Sequence, residues 1–194
     1  MHEYDLITRI LSPRLQPENQ QVLMENTDTT NHQASIITSG RIRYTLYRYD
    51  QKEQGQYFLP FFNNTHDGDF GGAPSPAPSD LLKFCDYILL AEKNEVLYVL
   101  LIELKSGHNG DANKQLEASA VFFEYIKKTA SRISNANDYS SFNTQNIKIK
   151  QIILKPQPKV RPFTQKVKTY SNWNLDTSPI CINSDTLPLY LFCK

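Results

Sequence analysis

The sequence predicts an α/β domain: a mixed β-sheet flanked by helices, with an additional β-hairpin and C-terminal strands. Three observations carry this expectation. Phe84 to Ala91 and Val96 to Leu104 are strand-length apolar runs on either side of the polar group Glu92 to Glu95, the pattern of an antiparallel hairpin. Ala112 to Thr129 carries Leu116, Ala120, Phe123 and Ile126 at helical spacing, so one stripe faces a core. Ile147 to Leu154 is strand-like again and is ended by Pro156 and Pro158. Strand, helix and strand then make a crossover that covers one face of the sheet.

The central hairpin carries the first chemical signal. A turn centred between Asn94 and Glu95 places Asp86 opposite Glu103. Opposed residues of an antiparallel pair point to one face, and alternate residues share it. Asp86, Glu103 and Lys105 therefore gather on one face at one end of an apolar hairpin. Like charges placed opposite each other destabilise a sheet by a few tenths of a kcal/mol to about 1 kcal/mol. A bound divalent cation would offset that cost, and hard carboxylate ligands suit Mg²⁺ or Mn²⁺.

The remaining elements follow in order. Asp5 to Leu11 has Leu6, Ile7, Ile10 and Leu11 on one side and stops at Ser12-Pro13, a short helix. Glu3 or Asp5 reaching the charged end of the hairpin is the less favoured reading; acidic residues also favour a helix start. Residues 12 to 33 are polar, and Gln20 to Glu25 fits either a helical turn or a short strand. Arg41 to Tyr49 is β-rich with partial alternation, and Gln56 to Phe62 is its expected return strand. Arg41, Arg43 and Arg48 beside tyrosines fit either phosphate contacts or solvated positions on a sheet face. Asn63 to Ser79 is a glycine- and proline-rich loop leading to Asp86. Asp67 and Asp69 within it match only the start of a calcium loop. Gly107 and Gly110 mark a turn before the helix at 112–129, and Gln115 in that helix's first turn either points back toward Lys105 or lies on the helix surface. Residues 130 to 145 are expected as a polar loop. Pro179 to Ile182 and Leu187 to Cys193 are expected as strands that cover a sheet edge.

Composition bounds the function class. The 194 residues carry a formal net charge of +1, and a single domain spanning 1–194 with a real core is expected. Cys85, Cys181 and Cys193 are odd in number and widely spaced, which suits a reducing, cytoplasmic setting and no zinc pattern. The four histidines also lack ligand spacing. The acidic start Met1 to Asp5 does not resemble a signal peptide, and no apolar run reaches a membrane span. Against this balance, Tyr139 to Leu175 holds no acidic residue and seven basic ones: Lys148, Lys150, Lys155, Lys159, Arg161, Lys166 and Lys168. With Phe163, Tyr170 and Trp173 among them, a substrate-binding segment at about 146–173 for a polyanion is expected; a charged solvated face is the alternative. The apolar end of the chain needs a partner surface, either its own core or a second subunit, as in a homodimer or a complex.

Asp86, followed after a hairpin by Glu103-Leu104-Lys105, resembles the core of the PD-(D/E)xK nuclease superfamily, whose fold is restriction-endonuclease-like. The likeness covers about residues 80–155 well and the N-terminal third loosely. It implies a Mg²⁺- or Mn²⁺-dependent phosphodiesterase, with Asp86, Glu103 and the Leu104 backbone carbonyl as metal ligands. Lys105 would orient water or stabilise developing charge, and Gln115 matches a helix glutamine that some members carry. Cys85 stands at the motif proline, and Ser119 stands where glutamine-bearing members often have tyrosine. The resemblance implies nucleic acid as substrate, with DNA endonuclease action set before RNA, and roles such as prokaryotic defence. The alternative is a catalytically inactive nuclease-fold module that binds nucleic acid, or an assembly subunit, in which the same charges are a structural ion network.

Overall fold

The structure is a computed structural model; it describes residues 2–26, 31–49, 84–106, 110–136, 142–156 and 179–194. The elements are α1 (Glu3–Ile10), β1 (Val22–Asn26), β2 (Asn31–Ile37), β3 (Arg43–Arg48), β4 (Tyr87–Lys93), β5 (Val96–Leu104), α2 (Ala112–Ala136), β6 (Ile147–Lys155), β7 (Ile180–Asn183) and β8 (Thr186–Pro188). They build a mixed α/β domain with two sheets. The larger has the order β3-β4-β5-β6-β7, and the smaller has the order β1-β2-β8.

The hairpin at the centre has the register expected of it. Tyr87 faces Ile102, Ile88 faces Leu101 and Lys93 faces Val96. Asn94 and Glu95 take φ of 51° and 62°, the left-handed pair that matches a two-residue hairpin turn to the strand twist. β4 and β5 are apolar without alternation because both of their faces are covered. On one face Ile88, Leu90, Leu97, Val99 and Leu101 pack under α1 and α2, against Ile7, Leu116, Phe123 and Ile126. On the other face Tyr87, Leu89, Leu100, Ile102 and Leu104 pack against Leu23, Ala34 and Ile36 of the small sheet. The molecule thus stacks helices, the large sheet and the small sheet.

β6 runs parallel to β5, with Glu103 beside Ile153 and Leu104 beside Leu154. The intervening helix α2 supplies the crossover that parallel pairing requires. β7 continues the sheet in parallel beyond β6. β8 joins the small sheet beside β2, and Leu187, Leu189, Phe192 and Cys193 are buried in this same chain's second core. The C-terminal apolar run therefore finds its covering surface within the chain.

Several boundaries differ from expectation. α2 continues to Ala136, so residues 130–136 are not loop. Ala130 is fully buried and Ser134 nearly so, and Ile133 packs against the core; the helical stripe persists although its neighbours are Ser, Arg and Asn. The uncertain stretch Gln20 to Glu25 leads into a strand, β1, paired antiparallel with β2. β3 is hydrogen-bonded to β4; its expected return strand at 56–62 and the loop at 63–79 lie outside the described residues. No described helix is long and apolar enough to cross a membrane.

Candidate active site

Beyond the Tyr87–Ile102 pair the hairpin is closed by side chains. The Asp86 amide donates to Glu103 Oε2 at 3.2 Å, and the Leu104 amide donates to Asp86 Oδ2 at 2.6 Å. Each carboxylate thus takes a backbone N–H near the other, and this reciprocal clasp holds both acids at the same strand ends. The Asp86 carbonyl accepts from the Tyr49 amide at 2.7 Å, and the Lys105 amide donates to the Leu154 carbonyl at 3.0 Å. The clasp is therefore tied to the strands on both sides.

Lys105 Nζ lies 2.6 Å from Glu103 Oε1 and donates to Gln115 Oε1 at 3.3 Å. Gln115 Nε2 reaches the Phe84 carbonyl at 3.4 Å. The first turn of α2 is thereby joined to the segment just before β4. Asp86, Glu103, Lys105 and Gln115 form one connected group, as the alternation of the hairpin and the position of the helix require.

Glu103 is 1% exposed. Burial holds its carboxyl above the ordinary range, against the Lys105 contact and the Asp86 amide, which favour the anion. The nearby charge of Glu25 adds to the upward shift. A buried carboxylate with a raised proton affinity and a single adjacent ammonium is costly as a structural device and useful where a cation or a proton is exchanged.

Ser119, one helical turn after Gln115, braces the group from behind. Its hydroxyl accepts from the Cys85 amide at 2.8 Å and donates to the Gln115 carbonyl at 2.8 Å. A tyrosine would not fit this place, because Ser119 is fully buried against the strand entry. Cys85 is buried beside it, and burial pushes its thiol up to about 12, so it is an inert packing residue rather than a nucleophile.

Other residues singled out by sequence sit elsewhere. Glu3 is buried at the far end of the sheet, where its Oε1 accepts from the Asn143 amide at 2.7 Å. Asp5 pairs with Arg43 at 2.9 Å. Neither reaches the clasp. Arg43 also pairs with Glu92 at 2.7 Å and stacks over the Tyr4 ring at 4.1 Å, so it is a structural cation near the turn end. Of the seven basic residues, Lys148, Lys150 and Lys155 are described, and they do not share a face. Lys148 and Lys150 lie on the Tyr98 and Leu100 side of the sheet, Lys155 on the other, because strand neighbours alternate. Lys148 Nζ sits 5.5 Å from the Tyr98 ring centre, and Lys150 is 9% exposed. Lys159, Arg161, Lys166 and Lys168 lie outside the described residues, as do Asp67, Asp69, Phe163, Tyr170 and Trp173.

Sequence reasoning missed Glu25, whose charge acts on Glu103. It falls in the polar stretch where periodicity is weak, and only the pairing of β1 with β2 fixes which way it faces. Among the described residues no group of three or more His, Cys, Asp or Glu side chains is assembled for a metal. The chain matches no protein-family model, no curated protein and no solved structure.

Proposed function

We propose that the protein is a Mg²⁺- or Mn²⁺-dependent nuclease of the PD-(D/E)xK type, with a restriction-endonuclease-like fold, that hydrolyses phosphodiester bonds of DNA. The observation that carries the reading is the clasp: two carboxylates fixed at the same strand ends, with Lys105 and Gln115 bonded in sequence beside them. The order helix, three antiparallel strands, helix and parallel strand in α1, β3, β4, β5, α2 and β6 supports the same class.

The donor set fits a hard divalent ion that keeps several waters. Asp86 and Glu103 would hold it together with the Leu104 carbonyl, and few protein ligands are the rule for Mg²⁺. When bound, such an ion neutralises phosphate oxygens and lowers the pKa of water. The chain's own part is positional. The Leu104 amide fixes the Asp86 carboxylate, and the Asp86 amide fixes that of Glu103. Lys105 holds a positive charge beside Glu103, where it orients water or stabilises the developing oxyanion. Gln115 limits the Lys105 ammonium to that position, and Ser119 fixes the backbone of the helical turn that carries Gln115.

One observation favours a second reading. Both oxygens of Glu103 already have partners, the Asp86 amide and Lys105, as a purely structural ion network would. In that case the chain is an inactive nucleic-acid-binding module or an assembly subunit. A cleavage panel separates the readings: supercoiled, linear and single-stranded DNA and RNA, each with Mg²⁺ and with Mn²⁺, beside Glu103→Ala. Metal-dependent cleavage that Glu103→Ala loses while retaining nucleic-acid binding supports the enzyme. Binding without cleavage by the unmutated chain supports the module, and a stable partner complex with no nucleic-acid binding supports the subunit.

A further inference from the structure

A second polar group lies on the opposite side of the large sheet, at the same end. His32 is 4% exposed, and among the described residues neither of its ring nitrogens has a hydrogen-bond partner. Its Cα partner across the β1–β2 pair is Glu25, so the two side chains share a face as neighbours. Glu25 Oε2 is likewise buried without a partner. Asp185 is held nearby, its carbonyl accepting from the Ser35 amide of β2 at 2.9 Å, and its charge acts on His32. Buried polar atoms nearly always have partners. Here an imidazole and a carboxylate face each other with nothing joining them.

The position is tied to the strand that carries Asp86. The Tyr87 hydroxyl donates to the Met24 carbonyl and accepts from the Met24 amide, both at 3.0 Å. Glu25 follows Met24, and Asp86 precedes Tyr87.

We propose that His32 and Glu25 form a binding site for a divalent cation of borderline character, such as Zn²⁺, separate from the Asp86–Glu103 clasp. An imidazole nitrogen with one carboxylate oxygen is a donor pair for such ions. Burial lowers the proton affinity of His32 against the raising effect of Glu25 and Asp185; the ring is thus neutral at neutral pH, as a ligand must be. The pair supplies two protein donors, and water completes the sphere. An ion there would join β1 to β2 through their facing side chains. The inference does not depend on the nuclease reading, since neither His32 nor Glu25 belongs to the clasp.

The test is Zn²⁺ binding to the full chain by equilibrium dialysis, with the melting temperature followed in chelator and in Zn²⁺. The variants are His32→Ala, Glu25→Gln and Glu103→Gln, and melting in chelator shows which are folded. The expected result is a Zn²⁺ site in the unmutated chain and in Glu103→Gln, weakened about tenfold or more in His32→Ala and in Glu25→Gln. Zn²⁺ should also raise the melting temperature of the first two and not of the others. Zn²⁺ affinity unchanged in both His32→Ala and Glu25→Gln overturns the proposal, as does no Zn²⁺ binding by the unmutated chain, in which case a buried water joins the two groups. Loss of Mg²⁺-dependent cleavage in Glu103→Gln, or its absence throughout, bears on the clasp alone.

Discussion

The two ends of the β4–β5 hairpin both carry charge, and they treat it differently. At the turn end Arg43 joins Asp5 and Glu92, with half of the arginine side chain, over a third of Asp5 and 19% of Glu92 open to solvent. Water screens those charges, and the pairs add little beyond local order. At the strand-start end Glu103 is buried to 1% beside Lys105 at 22%, and its carboxyl is held above the usual range by burial. Desolvating a carboxylate costs more than a single ion pair usually returns. The same apolar hairpin thus has a more exposed network at one end and one built on a buried carboxylate at the other.

Substitutions at the two ends should separate this contrast. The largest effect is on activity: Asp86→Asn and Lys105→Ala should each lower the Mg²⁺-dependent cleavage rate by about a hundredfold or more, the scale of losing one electrostatic stabiliser of a transition state. Arg43→Ala should leave that rate unchanged in the same gel assay.

Next is stability. Lys105→Met strands the Glu103 carboxylate in the core, and denaturant unfolding at neutral pH should show a loss of about 3 kcal/mol. The loss should shrink in acid. The Glu103 carboxyl is raised above 4.5 in the folded chain, so folding takes up a proton there; that contribution is complete below the unfolded value and disappears as pH rises through the folded one. Removing Lys105, the largest influence that favours the anion, moves the folded value higher and widens the window. A Glu103→Gln protein should lose this pH dependence.

Ser119→Ala leaves the buried Cys85 amide without its acceptor, which costs about 1–3 kcal/mol, and it should loosen Gln115 enough to lower cleavage while nucleic-acid binding is kept. The smallest effect belongs to the turn end, where Glu92→Gln should change unfolding free energy by less than about 1 kcal/mol.

Much of this contrast was legible in the sequence, for reasons that differ by element. Two apolar runs around Glu92 to Glu95 specify a register, because a slip by one residue would turn every side chain over; that register alone placed Asp86 against Glu103. Gln115 was legible because it lies in the first turn of a helix entered soon after Lys105. The C-terminal part of α2 was not, since Ser131, Arg132 and Asn135 dilute a stripe that Ala130, Ile133 and Ser134 keep on the core side. The small sheet was hidden for another reason. β8 comes from a distant part of the chain, and β1 and β2, though neighbours in sequence, lie in a polar stretch whose residues show no clear period. Glu25 and His32 became neighbours only through that pairing. The basic run misled on one point: β6 alternates, so Lys148 and Lys150 part company with Lys155.

The most direct measurement is the Mg²⁺-started nicking of supercoiled DNA by the unmutated chain beside Glu103→Gln, a substitution that keeps the shape of the side chain and removes its charge. A nuclease built on the clasp should give nicking that depends on Mg²⁺ and is lost in Glu103→Gln with the fold intact. Nicking at equal rates by both proteins, or persisting in excess chelator, would contradict it.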